Sequence, residues 1–147
     1  VDRFKIDQVA LQSGLTKRTI RYYEEIGLLQ PPQRSEGGIR YYTEEHVELL
    51  KKIKYAKEAL GFSLQELQRF ISLTKTIDAQ KVGYKQSSER TEQKEKLLEI
   101  IKTLNEEVEL IEERILRIEH VRNDLLDLIK RAQVHIKSLD LEENNGD

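Results

Sequence analysis

A mainly α-helical chain, with a winged helix-turn-helix head and one long coiled-coil helix behind it, is the fold class that three observations predict. Turn-forming residues are few, seven Gly and two Pro in 147 positions, so most of the chain must run on uninterrupted. Charged residues make up 35% and apolar ones only 37%, a balance that disfavours one large compact core and suits solvent-bathed helices. The rear half carries a sustained apolar repeat of four and three residues. The length allows one ordinary domain, or a small domain with an extension.

Taken in order, Asp7 is placed to cap a short helix containing Val9, Ala10 and Leu11, which Gly14 stops by tolerating positive φ. Thr16 caps a second helix from Lys17 to about Ile26, ended by Gly27, with Ile20 inward and Lys17, Arg18 and Arg21 on its polar face. Two short helices around a Gly-containing turn are a helix-turn-helix. Pro31-Pro32 forbids helix, and Arg34 to Tyr42 reads as a two-stranded wing turning at Gly37-Gly38. Thr43, with Glu45 and His46, opens a third helix carrying Val47, Leu50, Ile53 and Lys54 and stopping before Gly61. Ser63 and Glu66 form a capping box for a fourth, with Leu64, Leu67, Phe70 and Ile71 on one face. Periodicity fades from Thr74 to Tyr84, where Gly83 also falls. The expected organisation is a head over residues 1–75, a linker over 76–87, a coiled coil with a possible effector region over 88–140 and a polar tail over 141–147.

Leu97, Ile101, Leu104, Val108, Ile111, Ile115, Ile118, Arg122, Leu125, Ile129, Ala132, Ile136 and Leu139 form a heptad seam, apolar at twelve of thirteen positions. The 43 residues from Leu97 to Leu139, as one helix, span roughly 65 Å at about 1.5 Å each. A lone helix cannot bury such a stripe, so a partner chain is required. The stripe is broad at 97, 98, 100 and 101, narrow from 104 to 118, and broad again at 125, 126, 128 and 129, a pattern symmetric about residue 113. An antiparallel pair crossing there sets each broad face against the other. β-Branched residues at five of the a positions favour parallel dimers in simple zippers, but the symmetry carries more weight. The dimerisation set is Leu97, Ile101, Leu104, Val108, Ile111, Ile115, Ile118, Leu125 and Ile129.

Charge divides the chain as well. The first 75 residues hold 13 Lys and Arg against 10 Asp and Glu, and the remainder 12 against 17, so only the front suits a polyanion. In an isolated helix Lys17, Arg18 and Arg21 would be an ordinary solvated face. In the second helix of a helix-turn-helix they lie where major-groove edges are read. The candidate DNA-contacting set is Thr16, Lys17, Arg18, Thr19, Arg21, Tyr22, Tyr23, Arg34, Arg40, Tyr41, Tyr42 and Lys54, with Arg18 reading a base, Arg40 a phosphate, and Tyr23 partly in the core. Zero Cys removes disulfides and thiolate metal sites, and three scattered His suggest no metal. Carboxylates between residues 106 and 113 fall mostly on the outer helix face, and no phosphate loop or nucleophile arrangement is visible. The expectation is a non-enzyme without cofactor. No apolar stretch approaches a membrane span and no signal peptide is evident, so a cytoplasmic location is expected.

Ile6-Asp7-Gln8-Val9-Ala10, Ser13-Gly14-Leu15-Thr16, and Thr19 to Leu29 resemble the N-terminus of the mercury-resistance-regulator (MerR) family of bacterial transcription regulators. Gly38-Ile39-Arg40-Tyr41-Tyr42 is similar to that family's first wing, and Leu60 to Leu67 to its helix-helix corner. The resemblance implies a homodimer, joined by an antiparallel coiled coil, on a near-palindromic operator in double-stranded DNA. It further implies action by bending and untwisting a promoter spacer, with RNA polymerase as a partner. The family's metal and redox sensors use cysteines absent here, which leaves a small organic effector in a pocket between the coiled coil and the DNA-binding domain, a protein partner or no effector. An architectural DNA-binding protein without promoter switching, and a coiled-coil adaptor whose head binds protein, are the alternative functions.

Overall fold

The computed structural model describes residues 2–146. It divides between Glu107 and Val108 into two units. Unit one begins with α1 (Ile6–Ser13), whose N-cap is Lys5 and not Asp7. Lys5 takes extended dihedrals, and the Gln8 side chain reaches back to accept its N–H at 3.0 Å. Asp7 is thereby left in the first turn, where it pairs with Lys17. Gly14 closes α1 at φ 72, its N–H donated to the Ala10 carbonyl, a conformation that costs Gly little and other residues more.

α2 (Lys17–Glu25) starts at Thr16, whose hydroxyl oxygen accepts the Thr19 N–H at 3.1 Å. The wing pairs β1 (Gln33–Arg34) with β2 (Arg40–Tyr41) antiparallel, Gln33 opposite Tyr41 and Arg34 opposite Arg40. Beyond β2, Tyr42 forms an isolated bridge with Phe4 through two backbone hydrogen bonds of 2.7 and 2.8 Å. α3 (Glu44–Leu60) opens with the Thr43 N–H donated to His46 Nδ1 at 3.1 Å and closes at Gly61. Val9, Ile20, Leu29, Tyr42, Val47, Leu50, Ile53, Leu67 and Ile71 make the buried core on which α2 and the wing rest.

α4 (Leu64–Gln86) begins with the Ser63–Glu66 capping box and runs through most of the segment expected as a linker. Helix persists there because Leu73 and Ile77 are buried and polar side chains tie it to the next helix. Arg69 pairs with Glu106 at 3.3 Å, Thr74 meets Glu107 at 3.2 Å, and Lys96 donates to the Gly83 carbonyl at 3.0 Å. The break falls at residues 87–89, where Gln93 donates to the Ser87 carbonyl at 2.9 Å.

α5 (Arg90–Asn145) is continuous past Arg122 and takes in most of the expected polar tail. Ile100 and Thr103 are buried within unit one. Unit two is the remainder of α5. Its seam residues Val108, Ile115, Ile118, Leu125 and Ile129 lie about half exposed, as Leu97, Ile101 and Leu104 do in unit one, while Ile111 is half-buried. No helix among the described residues is long and apolar enough to cross a membrane.

Candidate nucleic-acid interface

α2 presents two opposite faces because its apolar residues are spaced three apart. Ile20 and Tyr23 point into the core, and Arg18, Arg21 and Tyr22 are exposed. With Thr19 and Glu25 these three line an open concavity of about 710 Å³. Thr16 is committed to the cap, and Lys17 to its ion pair with Asp7. Tyr22 and Tyr23 stand with ring centroids 6.1 Å apart, but Tyr23 is buried, and burial followed by its neighbour Tyr22 pushes its phenol up. Tyr23 is therefore a core residue that anchors α2, not part of its outer face.

The wing holds the next group. Arg34 donates to the Gly38 carbonyl at 3.3 Å, which stiffens the turn. Tyr41 donates its hydroxyl to Gln33 Oε1 at 2.7 Å, and the Arg3 guanidinium lies 4.7 Å above the Tyr41 ring, within cation–π range. Arg40 Nε faces Glu24 at 3.5 Å. Tyr42 is withdrawn altogether: it is fully buried and donates its hydroxyl to Glu24. Burial first, then the Glu24 carboxylate, push its phenol far above the ordinary range. A phosphate contact from Tyr42 is excluded by that burial. Lys54 is half-buried, its ammonium packed against Gly14 at the end of α1, where a cation complements the helix dipole.

The structure thus leaves Arg18, Thr19, Arg21 and Tyr22 together on α2, with Arg34, Arg40 and Tyr41 on the wing, and sets Tyr23 and Tyr42 inside. Arg3 and Glu24 join this surface without having been singled out from sequence. Arg3 precedes the first helix, and Glu24 repeats Arg21 three residues on, the one local sign that it shares that face.

A second concave feature lies in unit one beside α3 and α4. It is a cleft of about 460 Å³ lined by Leu29, His46, Leu49, Lys52, Lys75 and Asp78, among others. Lys75 donates to the Leu28 carbonyl at 3.2 Å and so braces the chain after α2. No group of three or more His, Cys, Asp or Glu among the described residues is arranged to hold a metal.

Residues 4–73 match the family described as MerR HTH family regulatory protein. The HTH-type transcriptional regulator YfmP of Bacillus subtilis (strain 168) is 48% identical over 136 residues, 92% of this chain and 97% of that protein. The HTH-type transcriptional regulator CueR of Escherichia coli O6:H1 (strain CFT073) is 36% identical over 123 residues, 84% and 78% of the two chains. Among solved structures, the transcription regulator PbrR691 from Ralstonia metallidurans CH34, in complex with lead(II), shares the fold at TM-score 0.51 and 21% identity, covering 86% of each chain. These relatives are regulators and not enzymes. With an exposed recognition helix beside a short wing, and near-full-length similarity to YfmP, the chain belongs to the MerR family of helix-turn-helix transcriptional regulators.

Proposed function

We propose that this regulator binds a near-palindromic promoter operator as a homodimer and acts by deforming the spacer DNA, with RNA polymerase engaged at the same promoter. The observation that carries the reading is the outer face of α2, where Arg18, Arg21 and Tyr22 stand exposed along a capped helix with the wing beside it. Arg18 reads a base edge, as an arginine fork suits guanine, and Arg40 meets a phosphate. Residues 88–140 supply the dimer contact through the half-exposed seam. Two heads on one stiff pair have a fixed separation, whereas straight B-DNA repeats its groove faces about every 34 Å. DNA absorbs a mismatch more readily than helix: a bend of 40 to 90° over 20 to 30 base pairs costs about 1 to 6 kcal/mol. The cleft beside α3 and α4 is the candidate site for a small organic effector that alters the fit.

The test is a footprint on the DNA upstream of the protein's own gene with polymerase present, combined with circular permutation and topoisomer shift on the protected fragment. The expected result is protection between the two promoter elements, with a bend and unwinding. A bound operator that stays straight with unchanged linking sinks the deformation mechanism. Protection without any change in open-complex formation would favour an architectural role.

A further inference from the structure

Glu24 sits oddly on the surface described above. It is one turn from Arg21 on the recognition helix, where a free carboxylate would repel a phosphate backbone, yet its side chain is only 10% exposed. One carboxylate oxygen accepts the Tyr42 hydroxyl, and the other lies 3.5 Å from Arg40 Nε, an ion pair without a hydrogen bond to that buried nitrogen. Tyr42 is itself immobilised. Its backbone is bridged to Phe4, its ring is fully buried, and His46 meets it edge-on with centroids 5.5 Å apart. The carboxylate therefore joins α2 to two neighbouring residues at the returning end of the wing.

We propose that Glu24 is a positioning residue: it ties the wing to the recognition helix through Tyr42 and sets its charge against the Nε side of Arg40, leaving the arginine's two terminal nitrogens for a DNA phosphate. The proposal rests on the DNA-binding function argued above. Those terminal nitrogens make no hydrogen bond within the described residues, and the Arg40 side chain is 34% exposed although its Nε is buried, so the exposed part lies beyond Nε.

The wing needs such a tie. Its strands are two residues each, too short to hold their own orientation. Glu24 meets that need without presenting its charge to the duplex, because Arg40 balances it and Tyr42 covers it. A guanidinium can set its Nε side against a carboxylate charge and offer its terminal nitrogens to a phosphate at once, which the point charge of a lysine cannot do in a fixed direction. The distance between the base-facing side chains of α2 and the phosphate-facing Arg40 is then set by the protein. A tied Arg40 completes its contact when α2 is seated in register. An untied one meets any phosphate. Glu24 thus acts on discrimination between sequences more than on general attraction to DNA.

The experiment uses the full chain, a duplex carrying the region upstream of its gene, and a random duplex of equal length, each titrated over a salt series. Glu24→Gln keeps an acceptor for Tyr42 but removes the charge that holds Arg40. It should bind the random duplex as well as or better than wild type and lower the ratio of specific to random affinity about tenfold. Arg40→Lys keeps the charge facing DNA and loses the fork, so it should lower the ratio similarly. In nitrogen-edited NMR the Arg40 Nε–H signal, buried beside the Glu24 carboxylate in the wild type, should shift when that charge is removed in Glu24→Gln. A purely structural role predicts that both affinities fall together with the folded fraction, and that result overturns the proposal. So does an unchanged ratio in both variants with folding intact. If Glu24→Gln unfolds, Arg40→Lys, which keeps the charge and most of the side-chain length, carries the same decision. A wild-type chain that binds neither duplex overturns the DNA-binding function and the tie with it. A selective wild type with equally selective variants overturns the tie alone.

Discussion

Replacing Val108 by Glu should dissociate the proposed dimer, and the size of the effect follows from the exposure of the seam. Val108 is 46% exposed in the single chain. Covering the rest of a valine side chain is worth about 1 kcal/mol, half of the roughly 2 kcal/mol for complete burial. Under the symmetry about residue 113, Val108 of one chain faces Ile118 of the other, itself 56% exposed. A glutamate there loses the apolar contact and sets a polar group against an apolar partner, a further cost of about 1 to 3 kcal/mol. The antiparallel arrangement repeats the site twice, so the dimer is weakened by about 4 to 8 kcal/mol, a thousandfold or more in dissociation constant. Val108→Ala, which only shortens the side chain, should cost about 2 kcal/mol over both sites. Sedimentation equilibrium over a dilution series measures both. A Val108→Glu chain that sediments as wild type refutes the register. Orientation has a separate readout, since the sequence contains no Cys and a single introduced thiol is unique. Spin labels on Asp127→Cys, 14 residues from the crossing point, should be about 42 Å apart along the axis in an antiparallel pair, and close together in a parallel one.

Arg18→Ala should lose about 1 to 3 kcal/mol of operator affinity and relax preference at one base position, as read by binding to a library of single-position operator variants; equal losses on random DNA would contradict base reading. Ile20→Ala, at a fully buried core position, should cost about 2 to 5 kcal/mol in a urea titration, and a loss below that range would mean that α2 is not anchored through it. Glu107 offers a pH test. Its carboxyl is pushed up chiefly by burial, with Asp78 adding to the effect, while Thr74, Lys52 and Lys81 oppose it. The folded state therefore binds this proton more tightly than the unfolded chain, and stability is lost as pH rises through the raised value. Glu107→Gln should raise Tm near about pH 7, with the advantage narrowing toward about pH 4, and a gain that ignores pH would reject the assignment. With no Cys in the chain, copper, zinc or mercury at low concentration should leave transcription from purified components unchanged, and a response to any of them would overturn that expectation.

The helices of the head were legible wherever their signals are local. Thr16, Ser63 with Glu66, Gly14 and Gly61 each act through neighbours within four residues, so the pattern of letters nearly states the geometry. Asp7 shows how a local signal misleads: Gln8 reaches back to Lys5 and moves the cap two positions earlier. The segment expected as a linker was misjudged for a different reason. Its helix is supported by contacts from α5, such as Lys96 on the Gly83 carbonyl and Glu107 on Thr74, which lie 13 and 33 residues away and leave no periodic trace. The candidate interface divides in the same manner. The outward set of Arg18, Arg21 and Tyr22 follows from helical spacing, whereas the burial of Tyr42 depends on Glu24, 18 residues earlier, and nothing in the spacing of the two announces it.

The bridge between Phe4 and Tyr42 bears on how the protein is handled. Both backbone groups of Phe4 are spent on Tyr42, and Arg3 rests on Tyr41, so any polypeptide joined ahead of these residues emerges beside the wing. A lysine- or arginine-rich tag fused there would place added positive charge beside the wing, within reach of the phosphates that Arg40 is proposed to meet, and would raise apparent affinity and its salt dependence without any change in the protein. An acidic solubility tag would do the reverse. Binding constants compared between preparations therefore refer to one molecule only when the N-terminal fusion has been removed, or when the tag follows the end of α5 instead.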